Sequence, residues 1–200
     1  MVEFVVTKTI ICLMTINTLS DYKETPSTLL RKQFKTCTKV IDESVRQGEQ
    51  DRIPLFLAIA WQESRFHEEA VGKRLCTNRG KLVKYKVRKK TKYKCIPKPD
   101  KKSTLTRARG PMQILPVYHC PKGERGKCDY LKESIELLSS NLETYGHEKG
   151  IMVYAGGLQN IEKNKVARAY ARRSMRREKT LNSFVKKAVT WAGWAAKLLK

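Results

Sequence analysis

The segment PLFLAIAWQESRF (residues 54–66) begins as a continuous apolar run and ends in polar residues and a phenylalanine. Its proline suits the first turn of a helix, and the residues that follow are apolar on nearly every side of that helix. A helix without a polar face is typical of a protein interior. We therefore predict a helix from about Pro54 to Ser64 that lies at the centre of the fold.

Glu63, near the end of this helix, is a candidate general acid. It stands between Trp61 and Phe66. The carboxyl end of a helix disfavours an anion, and so does burial among apolar neighbours, so both effects raise the pKa of this side chain. A carboxyl group that stays protonated near neutral pH can give its proton to a glycosidic oxygen. The alternative is a helix end that is acidic without any catalytic role.

The flanking regions also have helical patterns. Apolar residues recur at steps of three and four over residues 27–47, and again over 129–145, which starts with a capping aspartate. A short apolar piece covers 151–155, and two more helices are predicted over 164–178 and 181–199. A chain of 200 residues with these patterns predicts a mainly α protein with one domain.

Residues 81–96 alternate between basic and other side chains with a period of two on both sides of a basic turn. This period predicts a β-hairpin. We expect one face of the hairpin to carry lysine and arginine, and the other to carry valine and tyrosine. Tyr85 and Tyr93 are candidates for stacking on sugar rings.

The chain has 42 lysine and arginine residues against 19 aspartate and glutamate residues, a formal net charge of +23. Nearly all of the excess lies in residues 73–109 and 163–179. Positive fields attract polyanions such as nucleic acid, anionic lipid or an anionic wall polymer. A generic solvated basic surface is the alternative. The candidate polyanion-binding residues are Lys84, Lys86, Arg88, Lys92 and Lys94 in the hairpin, and Arg172, Arg173, Arg176 and Arg177 in the basic helix.

Residues 1–20 contain a short apolar run followed by small residues. This segment is predicted to be either a secretory signal peptide or an apolar element packed on the body of the protein. The remaining residues, 21–200, form the predicted domain. No stretch has the roughly 18–20 uninterrupted apolar residues that cross a bilayer, so we do not expect an integral membrane protein.

The six cysteines are Cys12, Cys37, Cys76, Cys95, Cys120 and Cys128. Cys76 and Cys95 bracket the hairpin, and Cys120 and Cys128 bracket a short loop, so each pair predicts a local disulfide in an oxidising compartment. The remaining two are unassigned, and loss of a signal peptide would leave Cys37 alone. A zinc site near Cys120 is the alternative, but there is no C-x-x-C pair, and we predict no metal.

Two later segments add to the pattern around Glu63. ARGPMQILP (residues 108–116) breaks at a Gly-Pro pair and continues with Met112 and Gln113. The glutamine amide can both donate and accept hydrogen bonds, which suits the acetamido group of a sugar. VYAGG (residues 153–157) places a tyrosine before small residues that let a bulky polymer approach the backbone.

In this order, WQES at 61–64, GPMQ at 110–113 and VYAGG at 153–157 resemble the three signature blocks of the soluble lytic transglycosylase family. The family blocks read roughly E-S, G-L-M-Q and A-Y-N-A-G. The matching residues are Ser64, Gly110, Met112, Gln113, Tyr154 and Gly157. Pro111 replaces the usual leucine, and Ala155 replaces the usual asparagine, which removes one hydrogen-bonding side chain.

The resemblance covers about residues 50–160. It implies a goose-type lysozyme-like helical fold. The spacing between the first two blocks is long for the family, and the basic hairpin fills it. We therefore interpret about 76–106 as an insertion that carries the hairpin.

The same resemblance implies cleavage of peptidoglycan by a single carboxyl group. Glu63 would protonate the oxygen between N-acetylmuramic acid and N-acetylglucosamine. Its carboxylate would then take the proton of the muramyl 6-hydroxyl, which closes a 1,6-anhydro ring, while the N-acetyl group of the substrate stabilises the anomeric carbon. Tyr154 would hydrogen-bond and orient Glu63. The sugar site would be lined by Ser64, Gly110, Met112, Gln113 and Ala155.

We expect a monomer that needs no cofactor and acts on peptidoglycan strands outside the cytoplasm, in the periplasm or cell envelope, or as a secreted or phage virion protein. Other anionic wall polymers are further candidate partners. Nucleic acid is not favoured, because the chain contains no known motif that reads it. The alternatives are a muramidase that uses water and a non-catalytic basic module that binds wall or nucleic acid.

Overall fold

The computed structural model describes residues 2–19, 27–77, 80–87, 90–97, 102, 104–120 and 128–198. The helices are α1 (Val2–Leu19), α2 (Ser27–Arg46), α3 (Ile53–Ser64), α4 (Pro116–His119), α5 (Tyr130–Tyr145), α6 (His147–Gly156) and α7 (Lys165–Leu198). The strands are β1 (Val71–Cys76), β2 (Lys81–Val87), β3 (Lys90–Ile96) and β4 (Leu105–Arg109). Strand β1 pairs with β4 and β2 pairs with β3, both antiparallel, so the described chain is mainly helical with two small sheets.

Helix α3 lies at the centre, as its apolar surface predicts. Every residue from Ile53 to Trp61 is buried, and the segment 55–60 has no exposed surface. Helices α2 and α7 both pack against it. Because α3 can bury apolar groups on all its sides, the amphipathic helices around it each need only one apolar face.

Helix α7 is one continuous helix of 34 residues, so the prediction of two helices in this region was wrong. The residues at the predicted break, Lys179 and Thr180, include neither glycine nor proline, and nothing in the backbone ends the helix there. The buried positions Ala167, Ser174, Leu181 and Ala188 recur every seven residues. Contacts with α1, α3 and α6 cover this side of the helix.

Helix α1 packs against α2 and α7. Its residues Ile11, Cys12 and Ile16 are buried, and a disulfide joins Cys12 to Cys37 of α2. The apolar N-terminal segment therefore contributes to the same core as the other helices. Among the described helices, none combines the length and the apolar character needed to cross a membrane.

Two further disulfides join Cys76 to Cys95 and Cys120 to Cys128, the pairings expected from the sequence. The first attaches β3 of the hairpin to the end of β1. Together with the Cys12–Cys37 bond they account for all six cysteines, and no free cysteine remains.

The hairpin β2–β3 forms at the predicted place, but the prediction of one basic face and one Val/Tyr face was wrong. Directly paired residues of an antiparallel ladder lie on the same face. The register pairs Val83 with Lys94, Tyr85 with Lys92, and Lys84 with Tyr93. Each face therefore mixes lysines from one strand with tyrosine from the other. The cause is the connection of two residues, 88–89, which places odd-numbered positions opposite even-numbered ones. Arg88 lies outside the described residues.

Candidate active site

The turn that follows Glu63 has an uncommon backbone conformation. Arg65 and Phe66 both have positive φ angles, 53° and 60°, although neither is glycine. The turn is held in place because the Arg65 carbonyl accepts a hydrogen bond from Gln33 Nε2 at 3.2 Å. Phe66 is fully buried against Trp61, with ring centroids 5.5 Å apart and an edge-to-face angle of 65°. Backbone strain of this kind persists only where the surroundings enforce it, and it is common at functional sites.

A cleft of about 320 Å³ opens beside Glu63. Its lining brings together residues from all three sequence blocks, namely Glu63, then Gln113, and then Tyr154 with Ala155. The remaining lining residues are Gly72, Lys73, Leu75, Ala108, Ile114, Leu115, His119 and Leu137. The cleft therefore lies between the end of α3, the sheet β1–β4 and helix α6, and it joins residues up to 92 positions apart in the chain.

Burial raises the pKa of Glu63, and the nearby hydroxyl of Tyr170 acts in the opposite direction as a smaller influence. The reason is that few solvent dipoles reach the carboxylate, so its charged form loses hydration. The direction is the one that the apolar neighbours of Glu63 predict. A carboxyl with a raised pKa retains a proton at a higher pH than an exposed glutamate does.

Tyr170 is a site residue that the sequence patterns did not indicate. It lies on α7, and its hydroxyl oxygen is buried without a geometrically regular hydrogen bond to the part of the chain that the structure describes. Burial raises the pKa of Tyr170, and the charges of Glu63 and Tyr154 raise it further. The tyrosine therefore stays protonated, and its O–H can donate to the Glu63 carboxylate.

Helix α7 is attached to α3 next to this site by polar contacts of Gln62. Its amide nitrogen donates to Ser174 Oγ at 3.2 Å and to the Tyr170 carbonyl oxygen at 3.5 Å. Its amide oxygen accepts a hydrogen bond from Arg177. Burial, followed by the charges of Arg173 and Arg65, lowers the pKa of Arg177. Arg177 is thus part of the helix packing next to Glu63, whereas Arg172, Arg173 and Arg176 are exposed on α7.

Tyr154 donates its hydroxyl proton to the carbonyl oxygen of Met112 at 2.7 Å. The family resemblance led us to expect a hydrogen bond between Tyr154 and Glu63. Because the Tyr154 proton goes to Met112, the phenol oxygen can only accept such a bond from the Glu63 carboxyl. Burial raises the pKa of Tyr154, and the charge of Glu63, which lines the same cleft, raises it further. Tyr154 therefore holds the Met112 turn beside the cleft.

Gln113 presents an acceptor oxygen to the cleft. Its backbone has a positive φ of 58°. Its Nε2 donates to the carbonyl oxygens of Gly110 and Ala70, at 2.8 and 3.1 Å. Since both partners are acceptors, the nitrogen must face them, and Oε1 is left on the other side, next to Gly72. The expectation that this amide both donates to and accepts from a sugar is thereby narrowed to accepting.

The other three residues of the predicted sugar site support the backbone around the cleft and do not line it. Met112 is fully buried. Ser64 Oγ donates to the Ala60 carbonyl at 3.1 Å and accepts from the His67 amide at 3.1 Å, which closes the end of α3. Gly110 has a φ of 76°, and a Cβ there would lie 2.6 Å from Tyr130 Cβ. These residues shape the turns that carry Glu63 and Gln113, and none of their side chains lines the cleft.

Replacing Tyr170 with Phe is expected to move the pH dependence of the peptidoglycan cleavage that the family resemblance implies. The hydroxyl lowers the pKa of Glu63, so its removal raises that pKa. An acid catalyst loses activity as the pH rises through its pKa, so the alkaline limb of kcat/KM should shift to higher pH in the variant. The check is the pH profile of that expected cleavage, measured with both proteins. An unchanged limb with merely lower activity would show that Tyr170 does not act on the carboxyl.

Within the described residues there is no group of three or more metal-ligating side chains. No protein-family model, curated protein or solved structure matches this chain. The chemical interpretation of the cleft therefore rests on its geometry and on the three sequence blocks. A carboxyl with a raised pKa and an acceptor amide in the lining of one cleft are suited to proton transfer on a polar substrate.

Proposed function

We propose that this protein is a lysozyme-like lytic transglycosylase that cleaves the β-1,4 bond between N-acetylmuramic acid and N-acetylglucosamine in peptidoglycan. One observation carries the proposal. The Glu63 carboxyl, with its pKa raised by burial, lines the same cleft as Gln113 and Tyr154, which belong to the two other sequence blocks. A helix-end glutamate without a catalytic role has no need of either neighbour.

In the proposed reaction Glu63 starts as the acid. It gives its proton to the glycosidic oxygen, so that the N-acetylglucosamine side leaves as an alcohol. The carboxylate formed in this step then accepts the proton of the muramyl 6-hydroxyl, whose oxygen bonds to the anomeric carbon and closes the 1,6-anhydro ring. Protons balance, because Glu63 ends protonated as it began.

The composition of the cleft favours one acid over two. Glu63 is the one carboxylic acid among the described residues of its lining. A second carboxylate would be required to stabilise or attack the anomeric carbon in a two-acid hydrolase. In a transglycosylase the N-acetyl group of the substrate stabilises the anomeric carbon instead. Gln113 Oε1 suits the N–H of such an acetamido group, because an amide oxygen accepts hydrogen bonds.

His119 supports a second candidate, a hydrolytic muramidase. Its imidazole lines the same cleft, and partial burial lowers its pKa. A neutral imidazole can accept a proton from water, which would direct the reaction to hydrolysis. A non-catalytic basic module that binds wall polymer or nucleic acid remains the alternative outside the enzyme class.

The mass of the released fragments tests the proposal. Purified sacculi digested with the protein are expected to yield muropeptides lighter by one water than hydrolysed muropeptides, because the anhydro ring forms without water. The His119→Ala variant should give the same anhydro products. If the wild type instead releases products of the hydrolysed mass and the His119→Ala variant does not, the protein is a muramidase. Tight binding to sacculi without any release of muropeptides would favour the binding module.

The compartment follows from the proposed substrate. Peptidoglycan lies outside the cytoplasm, and three disulfides are compatible with an oxidising, extracytoplasmic environment. We therefore propose that the protein acts in the cell envelope, as a secreted enzyme or as part of a phage particle.

A further inference from the structure

The hairpin β2–β3 concentrates positive charge without compensation. Its strands carry six lysines and no acidic residue. None of the ion pairs among the described residues involves any of these lysines. Elsewhere on the body basic residues do pair with acids, as Lys8 does with Asp42 at 2.7 Å. The hairpin lysines are exposed, so they are free to meet a ligand.

The hairpin is fixed to the wall of the cleft. Lys73 and Leu75 of β1 line the cleft, while Arg74 between them lies over the ring of Tyr93, 4.4 Å from its centroid. The disulfide from Cys76 binds the end of the same strand to β3. Leu75 alternates with Arg74 and Cys76 along the strand, so the hairpin contacts the face of β1 that is turned away from the cleft.

The register distinguishes two faces of the hairpin. One face, which we call the inner face, carries Lys84, Lys86 and Tyr93, and the contacts of Tyr93 and Cys95 with β1 partly cover it. The opposite side, the outer face, consists of Lys81, Val83, Tyr85, Lys90, Lys92, Lys94 and Ile96 among the side chains described. On the outer face Tyr85 is 38% exposed, and Lys94 Nζ lies 5.8 Å from the centroid of its ring.

We propose that the outer face of the hairpin, which points away from the cleft, binds stem-peptide carboxylates on glycan strands next to the strand that occupies the cleft. This inference rests on the proposed function. The lysines supply charge that matches carboxylates spaced along a polymer, and Tyr85 supplies a flat apolar surface for a sugar ring beside them. The mixed faces are suited to this ligand, because a glycan strand offers apolar ring faces and anionic groups side by side.

The test measures binding without cleavage. The Glu63→Gln protein is sedimented with sacculi freed of phosphate polymers, at several salt concentrations. Two charge-matched variants of it are compared, Lys92/Lys94→Gln on the outer face and Lys84/Lys86→Gln on the inner face. We expect the outer pair to weaken binding about fivefold and the inner pair to weaken it less than about twofold, given the modest strength of exposed ion pairs. The outer pair should also reduce the salt dependence of binding.

A second substrate identifies the ligand. Sacculi whose carboxylates have been converted to amides with carbodiimide and ethanolamine should bind the parent and both variants equally. The inference fails if the Lys92/Lys94→Gln and Lys84/Lys86→Gln substitutions weaken binding to sacculi equally. It also fails if the weaker binding of the outer-face variant persists on amidated sacculi, or if that variant binds more weakly only when phosphate polymers are retained. It also fails if the outer pair weakens binding to DNA or to phosphatidylglycerol vesicles but not to sacculi.

The outcomes separate this inference from the proposed function. Wild-type protein that releases anhydro-muropeptides, together with outer-face variants that bind normally, would reject the hairpin alone. Selective loss of carboxylate-dependent binding in a protein that releases no muropeptides would instead reject the enzyme and keep the binding surface.

Discussion

The Glu63→Gln variant is expected to release no detectable muropeptides from sacculi, with a rate at least about a thousandfold below wild type. Glutamine has nearly the same shape as glutamic acid but cannot give a proton to the glycosidic oxygen or accept one from the 6-hydroxyl. The measurement is the rate at which anhydro-muropeptides appear in solution. Binding of the variant to sacculi should be retained, because the cleft keeps its shape.

The matched control is Glu69→Gln. Glu69 lies six residues further along the chain, is exposed, and does not line the cleft. Its replacement removes the same charge and should leave the rate within about a factor of two, as is usual for surface changes. Equal activity of the Glu63→Gln variant and wild type would contradict the enzymatic proposal, and equal loss in both variants would point to net charge instead.

The Glu63→Gln substitution is also expected to change how the stability of the folded protein depends on pH. The folded-state pKa of Glu63 is raised, so the native state binds a proton more readily than the unfolded state does. This contribution to the free energy of unfolding is fully present below the unfolded pKa and is lost as the pH rises through the folded pKa. Urea unfolding at successive pH values should therefore show that wild type declines relative to Glu63→Gln over that window.

Gly150→Ala is expected to destabilise the protein by about 1–3 kcal/mol, the usual cost of overpacking. Alanine inside a helix normally stabilises it by about 1 kcal/mol relative to glycine. Here a Cβ would lie 2.8 Å from the Asn141 carbonyl oxygen and from the backbone N and Cα of Leu142. These are backbone atoms of α5, so the contact can be relieved only if α5 and α6 move apart.

The measurement for Gly150→Ala is the midpoint of urea unfolding together with the rate of muropeptide release. Activity should fall as well, because α6 carries Tyr154 and Ala155 to the cleft. Glu148→Ala, an exposed site on the same helix, serves as the control and should change stability by less than about 0.5 kcal/mol. A stabilised Gly150→Ala protein would show that the close approach of the two helices is not required.

Several elements were predictable because their causes are local. The period of apolar residues places α2, α3 and α5 close to their observed bounds, and Asp129 caps α5 by accepting hydrogen bonds from the amides of Leu131 and Lys132. The direction of the pKa shift at Glu63 also followed from neighbours only two and three residues away. The break placed at residues 179–180 was wrong, since packing against α1, α3 and α6 continues along α7.

The amino-acid sequence by itself determined where α2, α3, α5 and the hairpin form, that α3 is central, and that one glutamate is held in apolar surroundings. Only the tertiary structure decided which groups meet that glutamate: Tyr170 arrives from α7, Tyr154 bonds to the Met112 carbonyl, and the Gln113 nitrogen is taken up by two backbone carbonyls. The physical reason is that periodicity and capping act within a few residues of the chain. A contact between residues more than forty positions apart depends on how whole helices pack, and several packings satisfy the same local pattern.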